Sequence, residues 1–253
     1  MHPPGWAHPS VRHTDDLPFV PRAFIFDVEG TLIDNVLPTL QCWTETLAEM
    51  GYAESVADLH PYSGMEDKRM LRRLLNRHDP KLLDHIVELQ GERYRLRHLP
   101  HIRPFLGIRR LFTVIKDAGG KVALASSCNR DELAHYRAIM NVDDLIDCAC
   151  CGDDVRREKP SPDVVNLVMR KLRVPPGQIA MVGDTPYDAE AARAAGLAAV
   201  GLQSGHFSRS DLVDAGCAAV FFNLQALTRK LEEGAAVTPA EVRSHIDAVA
   251  DSR

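Results

Sequence analysis

Asp27 and Glu29 follow directly on the apolar run Ala23-Phe24-Ile25-Phe26 and are themselves followed by Gly30-Thr31. Such a run is the pattern of a strand buried on both faces. Alternation along an extended chain points both carboxyls to one side. Gly30 permits a sharp exit that keeps them at the strand's carboxyl end, which is where open α/β sheets bind ligands. Two more short apolar runs end in polar groups: Lys121-Val122-Ala123-Leu124-Ala125 stops at Ser126, and Ile179-Ala180-Met181-Val182-Gly183 stops at Asp184. Asp188 lies about one helical turn beyond Asp184, so both acids can face the same spot. Carboxylates at this density repel one another and need a cation, and oxygen-only ligands at strand ends suit Mg²⁺. Lys159 stands just ahead of a helix expected to take Ser161 as its cap and Pro162 at its first position. A carboxylate nucleophile, a bound Mg²⁺, a hydroxyl and a lysine are the parts that phosphoryl transfer through an aspartyl-phosphate requires. Metal and lysine would neutralise the non-bridging oxygens, so that Asp27 can approach an already anionic ester. The plain alternative for Asp27 and Glu29 is a strand cap facing solvent.

The elements that must position these groups alternate. Residues 34–103 read as helical throughout, broken at Gly51, His60-Pro61 and Asp79-Pro80, with no β-run. Met65, Met70, Leu71, Leu74 and Leu75 recur at helical spacing, which predicts a small helical bundle inserted after the first strand. Beyond it, Pro104 is expected in the first turn of a helix whose face is Phe105, Ile108, Leu111, Phe112 and Ile115, ended by Gly119-Gly120. A helix is expected over residues 130–140 and another up to about Leu172. Thr185-Pro186 opens a further helix that ends at Gly196. Residues 198–202 and 218–222 read as two last strands, and Thr238-Pro239-Ala240-Glu241 as the capping box of a final helix. Strands alternating with helices predict an α/β fold with a mainly parallel sheet.

The chain has 253 residues, enough for one large domain or two smaller ones. Hydrophobic residues make up 45% and charged residues 26%, the balance of a soluble globular protein with a sizeable core. A formal net charge of -5 argues against generic nucleic-acid binding, and no apolar run approaches the length of a membrane span. Residues 1–21, with five prolines and no signal-peptide core, read as a poorly ordered leader. Six cysteines in a chain of this length suit a reducing cytoplasm better than a disulfide framework. Cys148 and Cys151 form one C-x-x-C around Cys150, but a structural zinc site needs four ligands and no second pair lies nearby. They read as ordinary thiols at a strand end. His60, His98, His101 and His206 have no partner at ligand spacing and read as surface or satisfied histidines. Cys128, two residues past Ser126, reads as packing, with oxidation sensitivity as the sharper alternative.

Taken in order, Asp27-Val28-Glu29-Gly30-Thr31, Ser126, Lys159-Pro160 and Gly183-Asp184-Thr185-Pro186-Tyr187-Asp188 resemble the four motifs of the haloacid dehalogenase superfamily of phosphohydrolases. The helical insert resembles the cap of the subgroup that includes phosphoglycolate phosphatase and β-phosphoglucomutase. The resemblance implies a Rossmann-like core over residues 22–34 and 104–253 and a cap over residues 35–103. It implies Asp27 as nucleophile, Ser126 holding a phosphoryl oxygen, and Lys159 steadying the phosphoryl group. Mg²⁺ would be held by Asp27, the backbone carbonyl of Glu29, Asp184 and Asp188. Thr31, Gly64, Lys68, Ser127 and Asn129 are expected at the substrate. Glu29 departs from the aspartate most of these phosphatases use as general acid and base. It keeps the carboxylate and adds a methylene, as in the enolase-phosphatases, which also resemble this chain at that motif.

The expected function is a phosphatase acting on a small phosphorylated metabolite, as a monomer or homodimer in the cytoplasm. A phosphosugar mutase on the same scaffold and a non-catalytic binding protein are the alternatives. A hydrolytic dehalogenase fits less well, because its chemistry uses no metal. Between Gly64 and Arg103 ten lysines and arginines stand against six acids. A basic lid would suit a substrate with a second anionic group, with Lys68 as the contact; a solvated helix surface explains the same charges.

Overall fold

The computed structural model describes residues 17–236. Most of the expected leader and the expected final helix at Thr238 lie outside the described residues. The chain enters through β1 (Ala23–Phe26). A two-residue strand β2 (Ile33–Asp34) then leads into four helices, α1 (Val36–Glu49), α2 (Val56–Leu59), α3 (Asp67–Leu75) and α4 (Pro80–Arg93). The last of these runs on through a wider turn, Tyr94–His98. The return strand β3 (Arg103–Pro104) pairs antiparallel with β2. After it come α5 (Ile108–Asp117), β4 (Lys121–Ala125), α6 (Arg130–Met140), β5 (Cys148–Cys150) and α7 (Asp163–Leu172). The chain then forms β6 (Ile179–Gly183), α8 (Pro186–Ala194), β7 (Ala198–Leu202), α9 (Arg209–Asp214), β8 (Ala219–Phe221) and α10 (Leu224–Ala236).

Six strands form one parallel sheet in the order β5-β4-β1-β6-β7-β8, the Rossmann-like α/β arrangement the sequence predicts. Successive side chains of β1 serve opposite faces. Phe24 and Phe26 pack with α5, α6 and α10 through Phe112, Tyr136 and Leu227. Ala23 and Ile25 pack with α7, α8 and α9 through Val165, Ala192 and Leu212. Phe26 is level with Leu124 of β4 and Val182 of β6, so the carboxyl ends of the three strands open at one edge. There the chain, having built the sheet out to β5, crosses back to β6, and such a reversal of strand order leaves a crevice for ligands.

The inserted helices bury a cluster of their own, with Leu40, Trp43, Leu47, Met70, Leu71 and Ile86 at its centre. All the apolar positions the helical periodicity singles out belong to this cluster or pack on it. Two local expectations are corrected. Pro104 pairs with Ile33 in the short ribbon, and α5 starts only after Gly107, whose φ of 94° suits glycine. Pro162 holds the N-cap position of α7, so Ser161 is not the cap; its hydroxyl donates to Asp163 at 2.8 Å.

Candidate active site

β1 ends at Phe26, so Asp27 is the first residue free of the strand. Its backbone N–H still donates to the carbonyl of Val182 at 2.9 Å, which fixes its height beside β6. Asp27 is 4% exposed, and its side chain accepts a short hydrogen bond from Lys159 Nζ. The same ammonium donates to Asp188 Oδ1 at 2.8 Å. Asp188 belongs to the first turn of α8, where its other oxygen accepts from the N–H and hydroxyl of Thr185 in a reciprocal cap. Asp184, one residue past β6, accepts from the Thr31 hydroxyl at 2.7 Å.

Oxygens of Asp27, Asp184 and Asp188 lie within 4.8 Å of one another, the only such metal-capable group among the described residues. Burial pushes Asp27 up to about 6, against the pull of the Lys159 ammonium and with help from the Asp188 charge. Burial, and then Asp27 and Asp188, hold Asp184 well above the usual carboxylate range. Burial works against the charge of Lys159, but Asp188 and Asp27 outweigh it and keep the ammonium above its ordinary range. Three buried carboxylates against one ammonium leave a surplus of negative charge with oxygen donors only, which is what a hard divalent cation such as Mg²⁺ fits. The carboxyl of Glu29 is not part of this group, so only its backbone carbonyl remains a candidate ligand.

Strand alternation predicts Glu29 and Asp27 on the same side; the two carboxyls are near enough for Asp27 to act on Glu29, but they take different partners. Past Phe26 the strand is over: Val28 is tucked into the core, and Gly30 turns the chain at φ 76°. The Glu29 carboxyl therefore meets Asn35 Nδ2 at 3.2 Å. The same amide reaches Tyr94 Oη at 3.2 Å and Tyr136 Oη at 3.3 Å, and the two phenols are 2.9 Å apart. Asn35 occupies the N-cap position of α1, yet its side chain caps nothing there; Oδ1 accepts from the N–H of Gly30 at 3.0 Å instead. Burial pushes Glu29 up to about 8, with Glu132 and Asp27 adding to it and Lys159 and Asn35 opposing.

A cavity of about 480 Å³ lies between the inserted helices and the strand ends. Glu29, Gly64, Ser127 and Asn129 line it. The Ser127 hydroxyl is buried without a hydrogen-bond partner, whereas Asn129 caps α6 by accepting from the N–H of Glu132 at 2.9 Å. Ser126 is fully buried at the end of β4 and does not line the cavity; its hydroxyl is engaged with the N–H and thiol of Cys128. Thr31 serves Asp184 and not the cavity. Lys68 is also not brought to it: its ammonium pairs with Asp84 at 2.5 Å on the outer side, along a second cleft. Burial, and then the Glu29 charge, push the Cys128 thiol well up, which makes it inert packing. All six cysteines are free. His60 and His206 meet edge to face, ring centroids 5.1 Å apart, and His98 stacks on Tyr94, but none of them joins a metal-capable group among the described residues.

Sequence reading missed Asn35, Tyr94 and Tyr136. It also missed the loop after β7, where Ser204 donates to the Gly30 carbonyl at 2.7 Å. A Cβ on Gly205 would stand 2.0 Å from Asp184 Oδ2, so only glycine lets that loop close on the carboxylate. An asparagine four residues after the first motif was the one available signal.

A model of the haloacid dehalogenase-like hydrolases matches residues 24–202. A phosphoglycolate phosphatase from Pseudomonas savastanoi pv. phaseolicola is 28% identical over 239 residues, spanning 88% of this chain and 83% of its own. Among solved structures, a hydrolase from Pseudomonas syringae superposes with a TM-score of 0.77 at 27% identity, over 84% of this chain and 98% of its own. A Bacteroides vulgatus protein provisionally described as a β-phosphoglucomutase has a TM-score of 0.73 at 16% identity, over 85% of this chain and 90% of its own. At that identity the likeness is one of fold alone. No helix among the described residues is long and apolar enough to cross a membrane.

Proposed function

Because this chain belongs to the haloacid dehalogenase-like hydrolase family, we propose that it is a Mg²⁺-dependent phosphatase that hydrolyses a small phosphorylated metabolite through an aspartyl-phosphate. The relatives described as phosphoglycolate phosphatases support phosphomonoester hydrolysis. The observation that carries the reading is the Asp27 carboxylate, set between Lys159 and the Asp184–Asp188 pair at the end of the central strand.

When bound by Asp27, Asp184, Asp188 and the Glu29 carbonyl, Mg²⁺ supplies positive charge that lets one anion approach another. Asp27 attacks phosphorus, and the bond from phosphorus to the leaving oxygen breaks. Glu29, set apart from the cation cluster by Asn35, gives its proton to that oxygen. Lys159 holds Asp27 in place and faces the transferring group. The unpartnered hydroxyl of Ser127 and the backbone after β4 receive phosphoryl oxygens; Ser126 orients that turn through Cys128. Water then attacks the acyl phosphate, Glu29 takes its proton, and phosphate leaves with Asp27 restored. The insert over residues 35–103 acts as the lid that excludes bulk water and selects the leaving group.

Release of inorganic phosphate from a panel of phosphoesters, with Mg²⁺ and with chelator, tests this. Mg²⁺-dependent release is expected; none from any ester with Mg²⁺ present would end the phosphatase reading.

A further inference from the structure

Of the ten lysines and arginines on the insert between Gly64 and Arg103, Arg95 alone lines the cavity. Arg93 is turned outward to Glu49 and Glu45, Arg97 to Glu45 and Lys68 to Asp84. Away from the strand ends, the acids that line the cavity are Asp67 on α3, Glu88 on α4, Glu132 on α6, Asp153 and Glu158. Arg95 is the one cation there, and burial raises the Glu132 carboxyl against its pull. Asp67 has no hydrogen-bond or ion-pair partner among the described residues. Burial pushes its carboxyl up to about 7, with Glu158, Glu132 and Glu66 adding to it.

Helix capping explains part of this: Asp67 stands in the first turn of α3, and Glu132 follows the Asn129 cap of α6. A separate observation points to a ligand. Gln90 of α4 lines the same cavity, is 7% exposed, and its side-chain amide has no hydrogen-bond partner among the described residues. The amide is not one of the fully buried polar groups; it opens onto the cavity, where a ligand can supply its partner. That partner is not a second metal ion, because these acids do not come close enough together to form a chelating group. An organic cation with its own hydrogen-bonding capacity fits the spread, and Trp43 in the wall adds an aromatic ring of the kind that favours ammonium groups.

We propose that the substrate is the phosphate ester of an amino alcohol, its protonated amine bound in the cavity by Asp67 and Glu132 with Gln90 hydrogen-bonding beside it. This rests on the phosphatase reading above and adds the chemical class of the leaving group. A carboxylated leaving group, as in phosphoglycolate, would meet like charge there.

The test compares kcat/KM of the full-length protein with Mg²⁺ for 2-aminoethyl phosphate, 2-hydroxyethyl phosphate and phosphoglycolate, with p-nitrophenyl phosphate as the reference ester. The amine is expected to lead the neutral alcohol, and the alcohol the carboxylate, by about tenfold or more at each step. In Asp67→Asn the amine-to-alcohol ratio is expected to fall by about tenfold, mainly through KM, and Gln90→Leu to lower it less. Thermal melts of both variants identify any loss that reflects unfolding, and the wild-type series stands without them. Turnover of p-nitrophenyl phosphate with phosphoglycolate equal to or better than the amine would overturn this inference and leave the phosphatase reading intact. An amine preference unchanged in folded Asp67→Asn would also overturn it. No turnover of any ester would overturn both.

Discussion

Asp27 and Glu29 are two residues apart, yet they sit in two different surroundings. Asp27 meets an ammonium and two carboxylates that all descend from the sheet and the helices on one of its faces. Glu29 meets one amide, Asn35 at the start of the insert, which in turn reaches two phenols, from the insert's last helical turn and from α6. The first surrounding belongs to the core; the second is shared between the core and the inserted helices. One residue, Val28, thus separates a carboxyl beside an ammonium from one held by an amide; on the proposed mechanism the first stays ionised and the second holds and returns a proton. Through Asn35, the Glu29 carboxyl but not Asp27 is linked to Tyr94 of the insert.

The comparison can be broken from either side. The largest effect is expected from Asp27→Asn, because an amide cannot form the acyl phosphate. Turnover should vanish for every ester regardless of leaving group, with the fold kept by circular dichroism. Residual activity above a few per cent, in protein free of deamidation, would remove Asp27 as nucleophile. Chelation of divalent cations should abolish steady-state turnover equally for all esters, since three clustered carboxylates otherwise repel the phosphate; full activity in chelator would dissolve the contrast between the two surroundings.

Changes on the Glu29 side should depend on the leaving group. Glu29→Gln is expected to slow phosphoryl transfer from alkyl phosphates by roughly a hundred- to ten-thousand-fold. With p-nitrophenyl phosphate, whose leaving group needs no proton, that step should be far less affected in a single turnover. Equal loss with both would make Glu29 a strand cap. Tyr94→Phe removes one hydroxyl from the Asn35 network and should cost about fivefold on alkyl phosphates, the size of one net hydrogen bond. Its single-turnover rate with p-nitrophenyl phosphate should stay close to wild type.

The smallest effect concerns stability. Asp67 has its pKa raised to about 7 in the folded chain, from an unfolded value of 3.8. The folded form therefore binds its proton more tightly; that contribution is present below the unfolded value and is lost as pH rises through about 7. Asp67→Asn should be more stable than wild type at pH 8 by on the order of 1 kcal/mol, allowing for solvent screening, and indistinguishable near pH 4. Urea titrations at the two values check this, and a gain independent of pH would contradict it.

The sheet and the Asp27 cluster were legible in the sequence because each part is a contiguous signal, a short apolar run stopping at its polar group. Parallel pairing then brings the ends of those runs together without further information. The Glu29 surrounding was not legible. Asn35, Tyr94 and Tyr136 come from three segments, and their meeting depends on how the insert folds back through the ribbon at Ile33 and Pro104. Strand alternation carries no information on the partners of Glu29, because the strand ends at Phe26. Of the two readings the insert's net charge left open, the solvated helix surface fits most of the ten residues. A count along the chain sees ten basic residues, whereas the fold turns most of them to solvent and sets Asp67 toward the cavity.

The most direct test is to trap the intermediate. Glu29→Gln, mixed with p-nitrophenyl phosphate and Mg²⁺, should form the phosphoenzyme and then hydrolyse it slowly, because the carboxylate that would activate water is gone. Acid quenching within the first turnover, followed by peptide mass spectrometry, should find one phosphoryl group on Asp27, with a burst of nitrophenol equal to the enzyme present. A burst with no phosphorylated Asp27, or a phosphoryl group on another residue, would contradict the account.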